Sequence, residues 1–336
     1  MKHVIFDTHY KNPLNIRETE KAIKFIKDTF ERKFAKALNL ERISAPLFVR
    51  SDSGLNDNLS GVERAVSFDI KHIDGIKAEI VHSLAKWKRM ALYRYHFANG
   101  EGLYTDMNAI RRDEEVDNLH SLYVDQWDWE KVIEDKDRNV DYLKAVVRDI
   151  VGAIADTQDA VKELYPFVQN EIKRDVFFIT TQELEDMYPD IDSSAREYQI
   201  ATEHGTVFLM QIGDVLKSGK KHDNRAPDYD DWSLNGDIIV YNKILDCSFE
   251  LSSMGIRVNK EVMLKQLQKA NAMDRLELPF HKGILNDRFP LSVGGGIGQS
   301  RLCMFMLDKL HVGEVQASIW PQDMVEDFKS INSRLL

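Results

Sequence analysis

The groups in this chain whose types and spacing can do chemistry are a glycine run, two arginines and a few strand-borne polar residues. The run Gly294-Gly295-Gly296-Ile297-Gly298-Gln299-Ser300-Arg301 falls between an apolar strand and an apolar helix. Glycines let backbone amides approach a nucleotide, and a helix start adds positive potential there. Arg301, in the first helical turn, can then reach a phosphate. The plainer reading is a tight strand-to-helix turn with a surface arginine. A second arginine sits in Ala109-Ile110-Arg111-Arg112-Asp113, ahead of a charged loop and the run His120 to Trp129. Strand alternation puts Leu122, Val124, Gln126 and Asp128 on one face with His120, and Tyr123, Asp125, Trp127 and Trp129 on the other. The tryptophans suit a core, whereas a buried Gln126 and Asp128 must find partners.

Two further apolar strands each carry a carboxylate, Asp237 and Glu250, expected at strand ends, where oxygen ligands can share magnesium with a triphosphate. Paired surface acids are the plain alternative. Ahead of them runs an acidic loop from Asp223 to Trp232, given binding character by Arg225, Tyr229 and Trp232. The stretch Gly213 to Lys221 mimics a phosphate loop, but has one residue too many between its glycines and Lys where Ser or Thr belongs. It is rejected as a nucleotide site.

The elements that must hold these groups follow from periodicity. Ile23, Ile26, Phe30 and Phe34 lie at helical spacing within Ile16 to Leu38, and Asn15 with Glu18 forms a capping box. A strand is expected over Ile43 to Val49, interrupted by Pro46. A hairpin follows over Ala65 to Lys71 and Ile76 to His82, turning at Asp74-Gly75. Then come a helix from Leu84 to Tyr95, an extended pair at Leu103 to Arg111 and Leu119 to Trp129, and a helix from Arg138 to Leu164. Thr180 with Glu183 and Ser194 with Glu197 mark two helix starts, with Gly205 closing the second. Further strands are predicted at Thr206 to Ile212, Asp237 to Tyr241, Leu245 to Leu251 and Pro290 to Val293, and a last helix from Gly298 to Leu310. Strands in runs, joined by hairpins and interrupted by helices, predict an α+β fold with a mostly antiparallel sheet rather than a doubly wound one. No linker or repeat divides residues 1–336, so a single catalytic domain is expected.

The formal net charge of −10 disfavours a large nucleic-acid footprint, which is normally built from clustered Lys and Arg. No run approaches the roughly 18 to 20 apolar residues of a membrane helix, and Met1 to Tyr10 lacks a signal-peptide layout, so a cytoplasmic protein is expected. Cys247 and Cys303, the only cysteines, are too few for a disulfide framework or thiolate zinc site and are expected to be buried and inert.

Over nearly its whole length the chain resembles the asparagine synthetase A family. The resemblance is carried by Asp57-Asn58-Leu59-Ser60-Gly61, His82 to Arg89, Tyr123 to Trp129, Arg225 to Trp232, Glu250 to Arg257 and Gly294 to Arg301. That family is itself similar to the catalytic cores of class II aspartyl- and asparaginyl-tRNA synthetases. In that comparison the first helix with Pro46 resembles the dimer-forming motif, Arg111-x-Asp113 the second motif, and Gly298 to Arg301 the third.

The resemblance implies an ATP-dependent amidation of L-aspartate by ammonia through a β-aspartyl-adenylate, with magnesium and a homodimer. It implies that Arg111 holds the aspartate carboxylate and α-phosphate, and Arg301 the distal phosphates. Asp237 and Glu250 would engage magnesium and nucleotide, alongside Gly294, Gly295 and Gly296. Asp57, Ser83, Lys88, Gln126, Asp128, Asp230, Ser253 and Arg257 would form the aspartate pocket, with Asp57 beside the incoming ammonia. The chain departs from many relatives between Trp232 and Leu234, where Ser233 alone replaces a longer insertion.

Glutamine as nitrogen donor would need a cysteine nucleophile with a basic partner. Residue 2 is Lys, and neither cysteine sits on a Gly-x-Cys-x-Gly elbow, so free ammonium is the expected donor. A tRNA-charging relative would need a basic, aromatic anticodon-reading domain, for which the chain leaves no room. A silent regulatory paralogue is expected to lose a nucleotide arginine, yet Arg111 and Arg301 are both present.

Overall fold

The first long helix begins where the capping box places it. The Asn15 side chain accepts from the Glu18 amide at 3.0 Å, and the Glu18 carboxylate accepts from the Asn15 amide at 2.9 Å. This helix, α1 (Ile16–Leu38), ends at Asn39 in a left-handed conformation. The computed structural model describes residues 4–57, 59 and 63–336. The motif residues Asn58, Ser60 and Gly61, and the first three residues of the N-terminal stretch, lie outside the described residues.

In chain order the strands are β1 (Leu40–Arg42), β2 (Phe48–Arg50), β3 (Ser67–Asp69), β4 (Lys77–Ile80), β5 (Gly102–Ile110) and β6 (Tyr123–Val132), then β7 (Phe177–Thr180), β8 (Thr206–Met210), β9 (Asp230–Asn242), β10 (Cys247–Arg257) and β11 (Ser292–Gly298). The helices after α1 are α2 (Ala85–Arg94), α3 (Val140–Leu164), α4 (Thr181–Met187), α5 (Ser193–His204), α6 (Lys260–Lys269), α7 (Pro279–Leu285), α8 (Gln299–Met306) and α9 (Gln322–Ser330). The main sheet has eight strands in the order β1-β5-β6-β11-β10-β9-β8-β7, antiparallel except at its edges, where β1 joins β5 and β7 joins β8 in parallel. This is the expected α+β fold.

One face of the sheet packs against α1 and α3. Phe30 lies 4.7 Å from the ring centre of Trp127 and Phe34 meets Trp129 edge-on at 6.1 Å, so the alternation along β6 sends both tryptophans into the core. Gln126, Asp128 and Glu130 point from the opposite face, toward α2.

Several sequence expectations change. Most of the stretch Ile43 to Val49 is not a strand: Pro46, which has no amide to give to a ladder, lies in the connection between β1, which ends at Arg42, and β2, which starts at Phe48. The hairpin β3–β4 forms, but it pairs with β2 in a separate three-stranded sheet instead of starting the main one. The second half of the extended pair starts later than expected because Asp117 accepts from the amides of Leu119 and His120, each at 2.8 Å, and bends the chain before β6. Helix α5 is capped by Asp192 rather than Ser194. β9 reaches back to Asp230, so the acidic run ends in a strand, and β10 runs on to Arg257. β1, β7, α6, α7 and α9 were not read from the sequence. Cys303 is buried but Cys247 only half-buried. Burial raises both thiols, to about 12 and about 11 respectively.

Candidate active site

The run expected to cradle phosphate as a loop is instead a strand in mid-sheet. Gly294, Gly295 and Gly296 pair with Glu130, Trp129 and Asp128 of β6 on one side and with Gly255, Met254 and Ser253 of β10 on the other. Ladder bonds occupy backbone groups that a phosphate loop would offer to a nucleotide. The glycines have a different purpose. A Cβ on Gly296 would lie 2.5 Å from Gln126 Oε1 and 2.6 Å from Asp128 Oδ1, and one on Gly294 would collide with the Glu130 carboxylate. Bare backbone here lets the β6 side chains lean across β11. Above it lies a cavity of about 360 Å³, lined by Gly295 and Gly296 but not by Gly294.

Buried charge is dense in and behind the cavity wall. Lys88, from α2, donates to the Gly295 carbonyl at 2.7 Å and lies 3.3 Å from Asp128. Burial lowers its ammonium pKa although Asp128 and Glu130 oppose the shift. Arg257 contacts Glu130 through Nε at 2.9 and 3.1 Å and Nη2 at 2.8 Å, and also pairs with Asp230. Burial alone would raise the Glu130 carboxyl, but Arg257 outweighs it and the net shift is downward. For Asp230 burial wins and the shift is upward. Asp57 Oδ2 accepts from Ser83 Oγ at 3.0 Å and from Tyr229 at 3.2 Å. Ser253 and Gln126 complete the wall.

Two further arginines, Arg111 and Arg301, also line the cavity. Arg111 follows β5, fixed by its amide to the Leu122 carbonyl at 2.9 Å, and its buried Nε has no partner. Asp113, two residues on, is held by the Arg64 amide at 2.9 Å and guanidinium at 3.0 Å. Arg301, in the first turn of α8, donates to the Glu250 carbonyl at 3.1 Å with the Glu250 carboxylate at 3.8 Å.

Asp237 and Glu250 lie within long strands rather than at their ends, on adjacent β9 and β10 across a register shift. Glu250 borders the main cavity. Asp237 lines a neighbouring cavity of about 230 Å³ with Glu197, His222, Asp223 and also Glu250, which borders both. Asp237 pairs with Arg225 through one oxygen while the other, buried, has no partner. Burial pushes its carboxyl up to about 7; Arg225 opposes this and Glu250 adds to it. Among the described residues no cluster of three or more His, Cys, Asp or Glu side chains could hold a metal by itself.

The sequence reading passed over several groups. Glu130 continues the Gln126, Asp128 alternation, which was the available signal. Asp125, from the core-facing side of β6, accepts from Ser300 Oγ at 2.8 Å and Gln316 at 3.1 Å and ties α8 to the strand. Its partners lie 175 and 191 residues away, beyond any local pattern. Arg225 and Tyr229 were noted as binding residues, but their pairing with Asp237 and with Asp57 was not.

Comparison with known proteins gives a consistent picture. The family model described as aspartate-ammonia ligase matches residues 17–332. An aspartate–ammonia ligase of Clostridium tetani is 59% identical over 325 residues, covering 97% of this chain and 95% of its own. One from Ruminiclostridium cellulolyticum is 57% identical over the full length of both chains. Among solved structures, asparaginyl-tRNA synthetase from Pyrococcus horikoshii, complexed with asparaginyl-adenylate, superposes with a TM-score of 0.66 at 13% identity, covering 91% of this chain and 71% of that one. The Entamoeba histolytica asparaginyl-tRNA synthetase gives 0.62 at 14%, covering 90% and 66%. These two share the class II synthetase catalytic fold, and the family match across nearly all of the sequence is decisive: the chain belongs to the aspartate–ammonia ligase family.

Proposed function

We propose that the protein converts L-aspartate, ammonia and ATP to L-asparagine, AMP and pyrophosphate through a β-aspartyl-adenylate. The observation that carries this reading is one cavity lined by Lys88, Asp128, Asp230 and Arg257 together with Arg111 and Arg301, in a chain of this family. A carboxylate does not react with ammonia at neutral pH because oxide would have to leave, so it must first become a mixed anhydride. Lys88, Asp128, Asp230, Ser253 and Arg257 hold aspartate, and Arg111 places its side-chain carboxylate against the α-phosphorus. The carboxylate oxygen forms the new P–O bond as the bond to pyrophosphate breaks, with Arg111 and Arg301 stabilising the charge that develops. Ammonia then attacks the acyl carbonyl, AMP leaves, and the surplus proton passes to a base, a role assigned to Asp57, with Gln126 lining the same cavity.

Asp237 and Glu250 fit magnesium in the usual biological manner, with one or two carboxylates and the substrate's phosphates completing the shell. The unpartnered buried oxygen of Asp237 supports this assignment. Bound there, magnesium would neutralise phosphate charge and orient the leaving pyrophosphate.

A cytoplasmic homodimer fits the remaining features. Among the described residues no helix is long and apolar enough to cross a membrane. The outer face of α1 and the exposed Leu47, Phe48 and Phe68 beside Pro46 form the proposed self-contact. The net charge of −10 weighs against a nucleic-acid partner.

The test is to incubate the protein with ATP, magnesium, aspartate and ammonium and identify the products by mass. Asparagine with AMP and pyrophosphate is expected, and glutamine should not replace ammonium. ADP and phosphate would overturn the adenylate mechanism.

A further inference from the structure

Asp57 and Tyr229 meet at 3.2 Å in the cavity wall although 172 residues separate them. Directly behind this contact, outside the cavity, lies Lys86 of α2. Its ammonium sits 2.8 Å from the Asp228 carboxylate and donates to the Asn56 carbonyl at 3.1 Å. Its two partners are therefore the residues that immediately precede Tyr229 and Asp57. Arg275 at 3.0 Å and His281 at 2.9 Å bind the same oxygen of Asp228. Burial would raise the Asp228 carboxyl, but Lys86, His281 and Arg275 together hold it well below the usual carboxylate range.

The loop bearing Asp57 rests on the same cluster. A Cβ on Gly54 would lie 2.8 Å from Leu278 Cβ and 3.3 Å from His281 Nδ1. The Asn56 side chain accepts from the Asp57 amide at 3.0 Å and the His82 amide at 2.9 Å. The side chains of Lys86 and Asp228 are 2% and 0% exposed, and a pair so buried contributes little net stability compared with apolar residues of the same volume. Its geometric effect is definite: one ammonium group joins the two chain segments that carry the Asp57–Tyr229 contact.

We propose that Lys86 is a positioning residue, which by binding Asn56 and Asp228 together fixes Tyr229 against Asp57 and so tunes the step that Asp57 serves. This rests on the ligase reading given above. Tyr229 and Ser83 both donate to Asp57 Oδ2, while the Leu59 amide donates to Oδ1 at 2.9 Å. A shift of the Asn56 carbonyl therefore changes where the carboxylate faces.

The test is a double-mutant cycle on the full-length enzyme with Lys86→Met, Asp57→Asn and both, reading aspartate-dependent pyrophosphate–ATP exchange and ammonium-dependent asparagine formation separately. Lys86→Met is expected to slow the same half-reaction as Asp57→Asn, by about tenfold or more. The double variant should be no slower than Asp57→Asn alone, because a positioning effect vanishes with the group it positions. Multiplying losses, or wild-type kinetics with only a lower melting temperature, would overturn the inference. If Lys86→Met does not fold, the same cycle with the isosteric Asp228→Asn decides by the same criterion. A wild-type enzyme that makes no asparagine overturns the ligase reading and this inference together. An active wild type with multiplying losses overturns the inference alone.

Discussion

Arg257 and Glu130 are paired where water does not reach, with guanidinium-to-carboxylate distances of 2.8, 2.9 and 3.1 Å and side-chain exposures of 2% and 0%. Ser292 adds a hydrogen bond to the same carboxylate at 2.7 Å. Glu130→Ala leaves Arg257 buried with only Asp230 as a charged partner, and breaking a buried pair from one side costs about 3–5 kcal/mol. Urea unfolding should show that loss. A change below about 1 kcal/mol would mean that water enters and solvates the arginine.

Gly296→Ala should leave the protein folded and disable it. The added methyl drives Gln126 and Asp128 from their places, and a displacement of that size near reacting groups costs roughly a hundredfold in rate. Gly152→Ala is the control, since its methyl meets nothing within 4 Å on α3 and should stabilise the helix by roughly 0.5–1 kcal/mol with kinetics unchanged. Equal kinetics for the two variants would remove the argument that β11 must be bare.

The two half-reactions should separate by residue. Arg111→Ala or Arg301→Ala removes a charge contact proposed to act in adenylation, so pyrophosphate exchange should fall roughly a hundred- to a thousandfold. Asp57→Asn should depress asparagine formation much further than exchange. An equal loss in both assays would assign Asp57 to the aspartate amino group instead.

His311 makes the protein sensitive to acid. Burial lowers its imidazole pKa to about 4 although Asp117 opposes the shift, and Nδ1 accepts the Gly313 amide at 2.9 Å in the neutral form. The folded pKa lies below the unfolded one, so this contribution is present above pH about 6.5 and is lost as pH falls toward about 4. From pH 7.5 to 5 the loss from this group is about 2 kcal/mol. Denaturant midpoints for wild type and His311→Asn should converge as pH falls; parallel curves would exclude His311 as the sensor.

The parts of the fold legible in the sequence were those written in local period. The capping box at Asn15, the Phe30 and Phe34 stripe and the Trp127–Trp129 alternation each predicted an element and a face, and the structure shows all three. Gly294 to Gly298 misled because a glycine run in a strand has the composition of a turn, and neighbours far away in sequence explain the choice, with Gln126, Asp128 and Glu130 beside Gly294 and Gly296 and Met254 and Ser253 beside Gly295. Asp237 and Glu250 were placed on the right strands but at their ends, whereas both lie inside long strands, Asp237 on the second cavity and Glu250 on both. The Lys86–Asp228 pair was invisible for a simpler reason: nothing local marks a lysine whose partner is 142 residues away.

The side-chain-free stretch of β11 also limits how this enzyme can be re-engineered. With no side chain of its own to exchange at the cavity floor, the strand cannot be used to enlarge or recolour the pocket, and an addition there displaces β6 side chains at Gly296 or runs into β10 at Gly295. Acceptance of a longer or differently charged acid must therefore be sought in the flanking walls, through Gln126 and Asp128 on one side and Ser253 on the other, with the floor kept as a fixed template.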